Sequence, residues 1–138
     1  IHHAQDRIIF ADEDLLPLLD PVLDKIPSVE LLVVCRHGES GESAFPNQVD
    51  YETFIEGQPD KYDWPDIDEH SPMGLCYTSG TTGKPKGVMY THRSTYLHTI
   101  TEAMTDAMGL SARDALCGIV PMFHAMGWGL PFTASMLG

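Results

Sequence analysis

The chain has 138 residues, 43% hydrophobic and 20% charged, a balance that excludes a disordered polymer and fits one ordinary domain with a core of its own. Its net charge of −12 is concentrated in residues 1–70, where 17 acids face 4 bases, while residues 71–138 hold 3 acids and 4 bases; the acidic first half excludes a nucleic-acid surface, and the near-neutral second half can receive a polyanion. No apolar run approaches the roughly 20 residues that span a bilayer, the first ten residues lack a signal-peptide pattern, and Cys35, Cys76 and Cys117 lie far apart without zinc-ligand spacing, so a reducing, cytoplasmic setting is expected.

"RIIFA" at 7–11 is a short β-branched run and predicts a strand. Residues 14–26 then place Leu15, Leu16, Leu19, Val22, Leu23 and Ile26 at helical spacing, which predicts a helix. Pro17 is tolerated in its first turn, whereas Pro21 bends or interrupts it. "LLVVC" at 31–35 is apolar throughout, as in a buried parallel strand, with Cys35, like Cys76 further on, read as a small buried hydrophobe. Residues 36–71 are rich in Gly, Ser, Pro, Asp and Glu and form an acidic connection, with one helical turn expected near 50–56. Strands are predicted at 73–78 and 87–91. A helix follows from Thr91, its capping residue, and keeps one apolar face as far as Gly109. "ALCGIV" at 115–120 predicts a further buried strand, and "PMFHAMGWGLPF" after it opens another helix. The divisions are 1–35, 36–71 and 72–138 of a single partial domain.

Between the strands at 73–78 and 87–91 lies the most unusual stretch, "YTSGTTGKPKGV" at 77–88. It gathers the hydroxyls of Thr78, Ser79, Thr81 and Thr82, the glycines Gly80, Gly83 and Gly87, and the lysines Lys84 and Lys86. Glycines let the backbone approach a ligand closely, and several hydrogen bonds to charged oxygens, each worth about 1.5–3 kcal/mol, hold a polyphosphate. The spacing is neither that of a Walker A loop nor that of a GxGxxG turn. A plain glycine-rich hairpin accounts for one or two of the glycines, but not for four hydroxyls and a lysine pair.

This run, followed by "YTHRS", resembles the signature of the adenylate-forming enzymes, which include acyl-CoA synthetases, firefly luciferase and the adenylation domains of peptide synthetases. "DYETFIEGQPDKYDWPDIDE" and "MGLSARDALCGIVPMFHAMGWGLPF" are similar to the medium- and long-chain fatty acid ligases within that family. The resemblance implies an α/β fold, in which this chain is an incomplete piece of the large N-terminal domain of an acyl-CoA synthetase: a parallel-sheet strand–helix–strand unit plus a glycine-rich phosphate loop. It also implies a reaction in two steps. A fatty acid carboxylate attacks the α-phosphate of ATP to give an acyl-adenylate and pyrophosphate, and the thiol of coenzyme A then displaces AMP. By the same resemblance Thr78, Ser79, Gly80, Thr81, Thr82 and Gly83 cradle the β- and γ-phosphates, Thr81 helps to hold Mg²⁺, and Lys86 neutralises phosphate charge. Lys84 occupies a more permissive position. His124 lies beside the acyl-adenylate carboxyl, and Trp128 stands at the mouth of the acyl tunnel, where a flat apolar ring with one polar edge makes physical sense. Met126 and Gly127 depart from the Asn and Ala more usual in long-chain enzymes, which bears on chain-length preference. The remaining histidines carry no argument.

The expected partners are small molecules (fatty acid, ATP and coenzyme A), and the resemblance is compatible with a homodimeric parent. Later family elements, namely a Mg²⁺-binding Glu, an Asp for the ribose, a hinge and a C-terminal domain with the catalytic lysine, do not occur before Gly138. The chain by itself is therefore expected to be inactive. Adenylation of an aromatic or amino acid, and nucleotide binding without turnover, remain the alternative readings.

Overall fold

The computed structural model describes residues 1–38, 43–79 and 83–138. The chain divides into two compact units, Ile1–Asp63 and Trp64–Gly138, so the boundary falls within the acidic connection.

The first unit is built on three parallel strands in the order β1 (Ile8–Asp12), β2 (Leu31–Cys35) and β3 (Gln48–Asp50). Ile8 pairs with Leu31 and Asp12 with Cys35, while Leu32 pairs with Gln48. The expected helix between β1 and β2 exists as a broken series. A 3₁₀ turn (Glu13–Leu15) leads into one α turn, α1 (Leu16–Leu19), and a second 3₁₀ turn (Asp20–Lys25) follows. The break lies where Pro21 removes a backbone donor and crowds the preceding turn. Leu16, Ile26, Val29, Leu32, Val34 and Phe45 form the core, with Ile9, Leu19 and Leu23 packed against it. Central β2 carries the most deeply buried side chains, Val33 and Val34 having no exposed surface, and each such aliphatic contributes roughly 1.5–3 kcal/mol.

β3 was not expected. Only Val49 of its three residues is apolar, and its strand character comes from pairing with β2, a long-range contact that local composition does not reveal. Side chains fasten the segment leading to it. The Asp20 carboxylate accepts from Ser43 Oγ at 2.8 Å and from the Ala44 amide at 3.2 Å, and Gln48 Nε2 donates to the Ser43 carbonyl at 3.0 Å. The expected helical turn is α2 (Tyr51–Ile55), capped by Asp50, whose carboxylate accepts from the Glu52 amide.

The second unit opens with an antiparallel hairpin of β4 (Pro72–Thr78) and β5 (Lys86–Thr91), in register from Gly74↔Tyr90 to Thr78↔Lys86. The glycine–hydroxyl run is thus also a hairpin connection. β5 leads directly into α3 (His92–Ala103), held by a reciprocal cap. The Ser94 amide donates to Thr91 Oγ1 at 3.1 Å, and the Thr91 amide donates to Ser94 Oγ at 3.0 Å. Replacing Thr91 by Ala is expected to lower stability by about 1 kcal/mol, read from urea unfolding followed by circular dichroism; an unchanged midpoint would mean the cap is not formed in solution.

Three expectations are corrected. Helix α3 ends at Ala103, because Met104 adopts an extended conformation (φ −66°, ψ 143°), and Gly109 lies beyond a run of turns. Residues 115–120 form no strand: among the described residues no neighbouring strand offers them a ladder, and Ile119 is 88% exposed. Cys35 and Cys76 are half-buried rather than buried. The last expectation holds in part. Helix α4 (Leu130–Leu137) does follow "PMFH", with Pro131 in its first turn, but a left-handed turn precedes it.

Candidate functional site

The phosphate-loop residues occupy the tip of the hairpin. Thr78 ends β4, Lys86 begins β5, and the two face each other across the ladder. Thr78, Ser79, Gly83, Lys84 and Lys86 are all exposed. Gly83 has a φ of +85° with open space around it, the conformation for which glycine is suited. Gly80, Thr81 and Thr82 lie outside the described residues, and with them the expected Mg²⁺ position at Thr81. Among the described residues neither lysine has a carboxylate partner, and the side chains of Thr78 and Ser79 make no hydrogen bond. Hydroxyls and cations left free at a loop tip fit a polyanion.

His124 comes to the same place from 46 residues further along the chain. Its amide donates to the Pro121 carbonyl at 3.0 Å, and its own carbonyl accepts from the Gly127 amide at 3.1 Å. This local turn leaves the imidazole exposed. Thr78, Ser79 and His124 line one cavity of about 350 Å³, walled by Tyr77, Tyr90 and Phe123. The two sequence motifs therefore converge.

A second cavity of about 390 Å³ shares Tyr90 and Ala125 with the first. Its lining is mostly apolar, with Met108, Met126, Trp128 and Phe132 prominent, and one side is the face of α3 that carries Thr95, His98 and Glu102. Trp128 lines this cavity yet is 51% exposed, so its indole sits at an opening. Thr95 Oγ1 is buried there and has no hydrogen-bond partner among the described residues.

The wall between the cavities is a left-handed turn. Ala125, Met126, Gly127, Trp128 and Gly129 all have positive φ, between 47° and 81°. In a left-handed turn each non-glycine residue costs roughly 1–2 kcal/mol, so the surroundings must hold this one. Met126 lies over Gly74 of β4, where a Cβ would run into its methyl group. On the other side His98 Nε2 donates to the Trp128 carbonyl at 3.0 Å. His98 and Glu102 carried no role in the sequence reading. The signal was available: Glu102 is the one acid of α3, four residues after a histidine and so on the same helix face.

The AMP-binding enzyme family matches this chain over residues 1–138, and the chain belongs to that family. A medium-chain-fatty-acid–CoA ligase of Ectopseudomonas oleovorans is 47% identical, over 100% of this chain and 26% of that protein. A 3-methylmercaptopropionyl-CoA ligase of Ruegeria pomeroyi is 42% identical with the same two coverages. Among solved structures, a red-emitting luciferase of Phrixothrix hirtus superposes with a TM-score of 0.77 at 20% identity, over 97% of this chain and 26% of that one; this is a likeness of fold. The chain spans 26% of the length of each of these three proteins. The α/β architecture is that of a piece of the N-terminal domain of adenylate-forming enzymes. No helix among the described residues is long and apolar enough to cross a membrane.

Proposed function

We propose that residues 1–138 are one part of the large N-terminal domain of an AMP-forming acid–thiol ligase, and that the full-length protein converts a fatty acid, ATP and coenzyme A into acyl-CoA, AMP and pyrophosphate in the cytoplasm. The reading rests chiefly on one observation: Thr78 and Ser79 share a cavity with His124, and that cavity adjoins an apolar one edged by Trp128. A reaction between a polyphosphate and the carboxyl end of an apolar acid needs this adjacency of a donor-rich pocket and a greasy one. The identity to a ligase named for medium-chain fatty acids supports the acid class.

In this scheme Thr78, Ser79 and the neighbouring Gly80, Thr81, Thr82 and Gly83 hold the β- and γ-phosphates. Lys86 offsets the charge that grows on the departing pyrophosphate, His124 stands beside the carboxyl group, and Trp128 guards the acyl entrance. Mg²⁺, when bound at Thr81, supplies further neutralisation of phosphate charge. No protein nucleophile is needed, so the contribution of the chain is placement and electrostatics. A homodimer of the full-length protein accords with this scheme.

The test is acid-dependent ATP–pyrophosphate exchange and acyl-CoA formation by the full-length protein. The panel comprises octanoate, decanoate, 3-methylmercaptopropionate, benzoate and an amino acid. Octanoate or decanoate is expected to give the highest kcat/KM, and residues 1–138 alone are expected to give no exchange. Turnover confined to benzoate or the amino acid would replace the fatty acid by another acid, and ATP binding without turnover of any acid would leave a nucleotide-binding module.

A further inference from the structure

Glu102 is 4% exposed and Thr133 is fully buried, so the contact between them is buried. The Thr133 hydroxyl, on α4, donates to Glu102 Oε2. The other carboxyl oxygen, Oε1, lies 3.2 Å from His98 Nε2, the same nitrogen that reaches the Trp128 carbonyl at 3.0 Å. A carbonyl oxygen can only accept, so Nε2 carries the hydrogen that reaches Trp128. The result is a continuous chain: Thr133 of α4, Glu102 and His98 of α3, and the backbone of the left-handed turn at Trp128. A buried carboxyl group is expensive unless it is hydrogen-bonded; here Oε2 accepts from Thr133 and Oε1 lies against the His98 imidazole.

We propose that Glu102 is a positioning residue for the acyl cavity. By holding His98 and Thr133 together it fixes the Ala125–Gly129 turn against α3, and through that turn it sets where Trp128 and Met126 stand at the cavity wall. The proposal rests on the ligase reading above, since it assigns the apolar cavity to the acid. Glu102 does not touch the reacting atoms; it acts through His98 and the turn. The turn needs such a clamp because its left-handed conformation is unfavourable for Ala125, Met126 and Trp128. With the clamp gone, the wall relaxes and the apolar acid loses its fit, while the strand pairing that sets Thr78 opposite Lys86 stays in place. The effect therefore belongs in the binding of the acid and not in the chemical step.

Three variants of the full-length protein test this, assayed with octanoate. Glu102→Ala is expected to raise the KM for octanoate about tenfold, equivalent to about 1.4 kcal/mol, with kcat within about threefold and the KM for ATP within about twofold. Glu102→Gln is expected to restore the octanoate KM to within about threefold. Its amide oxygen can accept from His98, and its NH₂ can donate to Thr133 Oγ1, whose own hydrogen then turns to the Gly129 carbonyl 3.4 Å away. Thr133→Val is isosteric and lies outside the cavity lining, so it tests the clamp without changing a lining side chain; a rise of about fivefold is expected. Octanoate KM values equal to wild type in Glu102→Ala and Thr133→Val would overturn the proposal, as would equal rises in the KM for acid and for ATP. A wild-type protein that turns over no acid would instead remove the ligase reading. Calorimetric binding of octanoate then decides the clamp, which stands if Thr133→Val weakens binding about fivefold and falls if it does not.

Discussion

Lys86→Ala in the full-length protein is expected to lower kcat/KM for acid-dependent pyrophosphate exchange by about 10²–10³-fold, the loss typical of removing one preorganised stabiliser of developing charge. Lys86 begins β5, directly opposite Thr78 in the ladder, and Thr78 lines the His124 cavity. Among the described residues no carboxylate neutralises it, and its charge is therefore available to a ligand. Lys86→Arg is expected to recover only part of the activity, because a planar fork on a different stem does not reproduce a compact ammonium. Lys84→Ala, two residues earlier in the exposed loop, is expected to change the rate by no more than about twofold. Loss of activity in Lys84→Ala with none in Lys86→Ala would exchange the roles of the two lysines. Unchanged exchange in both would remove the loop lysines from the reaction.

These residues were legible in the sequence because the loop is a local feature. Small residues, hydroxyls and cations crowded into one run have few purposes, and strand patterns on either side fix where the run lies. The core strands were legible for a similar reason: "LLVVC" reads as a strand buried on both faces, and it forms the centre of the sheet. What failed depended on contacts distant in sequence. Gln48–Asp50 has almost no strand character of its own and becomes β3 by pairing with β2. Residues 115–120 have strong strand character and find no ladder among the described residues. Helix α3 stops at Ala103 although its apolar spacing continues to Met108, since periodicity records which face is apolar and not where the backbone turns.

The least legible part of the candidate site is the wall between the two cavities. Gly127 and Gly129 hint at unusual backbone, but nothing in the types of Ala125, Met126 or Trp128 announces positive φ, which such residues seldom adopt. The conformation arises from the partners: Met126 over Gly74, His98 at the Trp128 carbonyl, and Glu102 with Thr133 behind it. Sequence reasoning singled out His124 and Trp128 by their motif and passed over His98, whose partners become visible only once α3 and α4 lie side by side.

Gly129→Ala puts that account at risk most directly. Gly129 has a φ of +81°, and a Cβ there would lie 2.5 Å from His98 Cδ2, 2.8 Å from His98 Nε2 and 3.3 Å from Glu102 Oε2. Left-handed backbone costs an alanine about 1 kcal/mol, and overpacking adds typically 1–3 kcal/mol. The expected loss of stability is therefore about 2–4 kcal/mol, read from urea unfolding. Gly109→Ala separates the two contributions within the same unit. Its φ is +63°, but the nearest atom to its Cβ would be the Thr105 carbonyl oxygen at an ordinary 3.7 Å, so only the backbone cost of about 1 kcal/mol is expected. In Gly129→Ala the His98 ring has to move to make room, and its bonds to the Trp128 carbonyl and to Glu102 move with it. The octanoate KM should then rise alongside the loss of stability, whereas in Gly109→Ala it should not. If Gly129→Ala costs no more than Gly109→Ala, the imidazole does not pack against the turn, and the clamp from α4 to Trp128 has lost its central link.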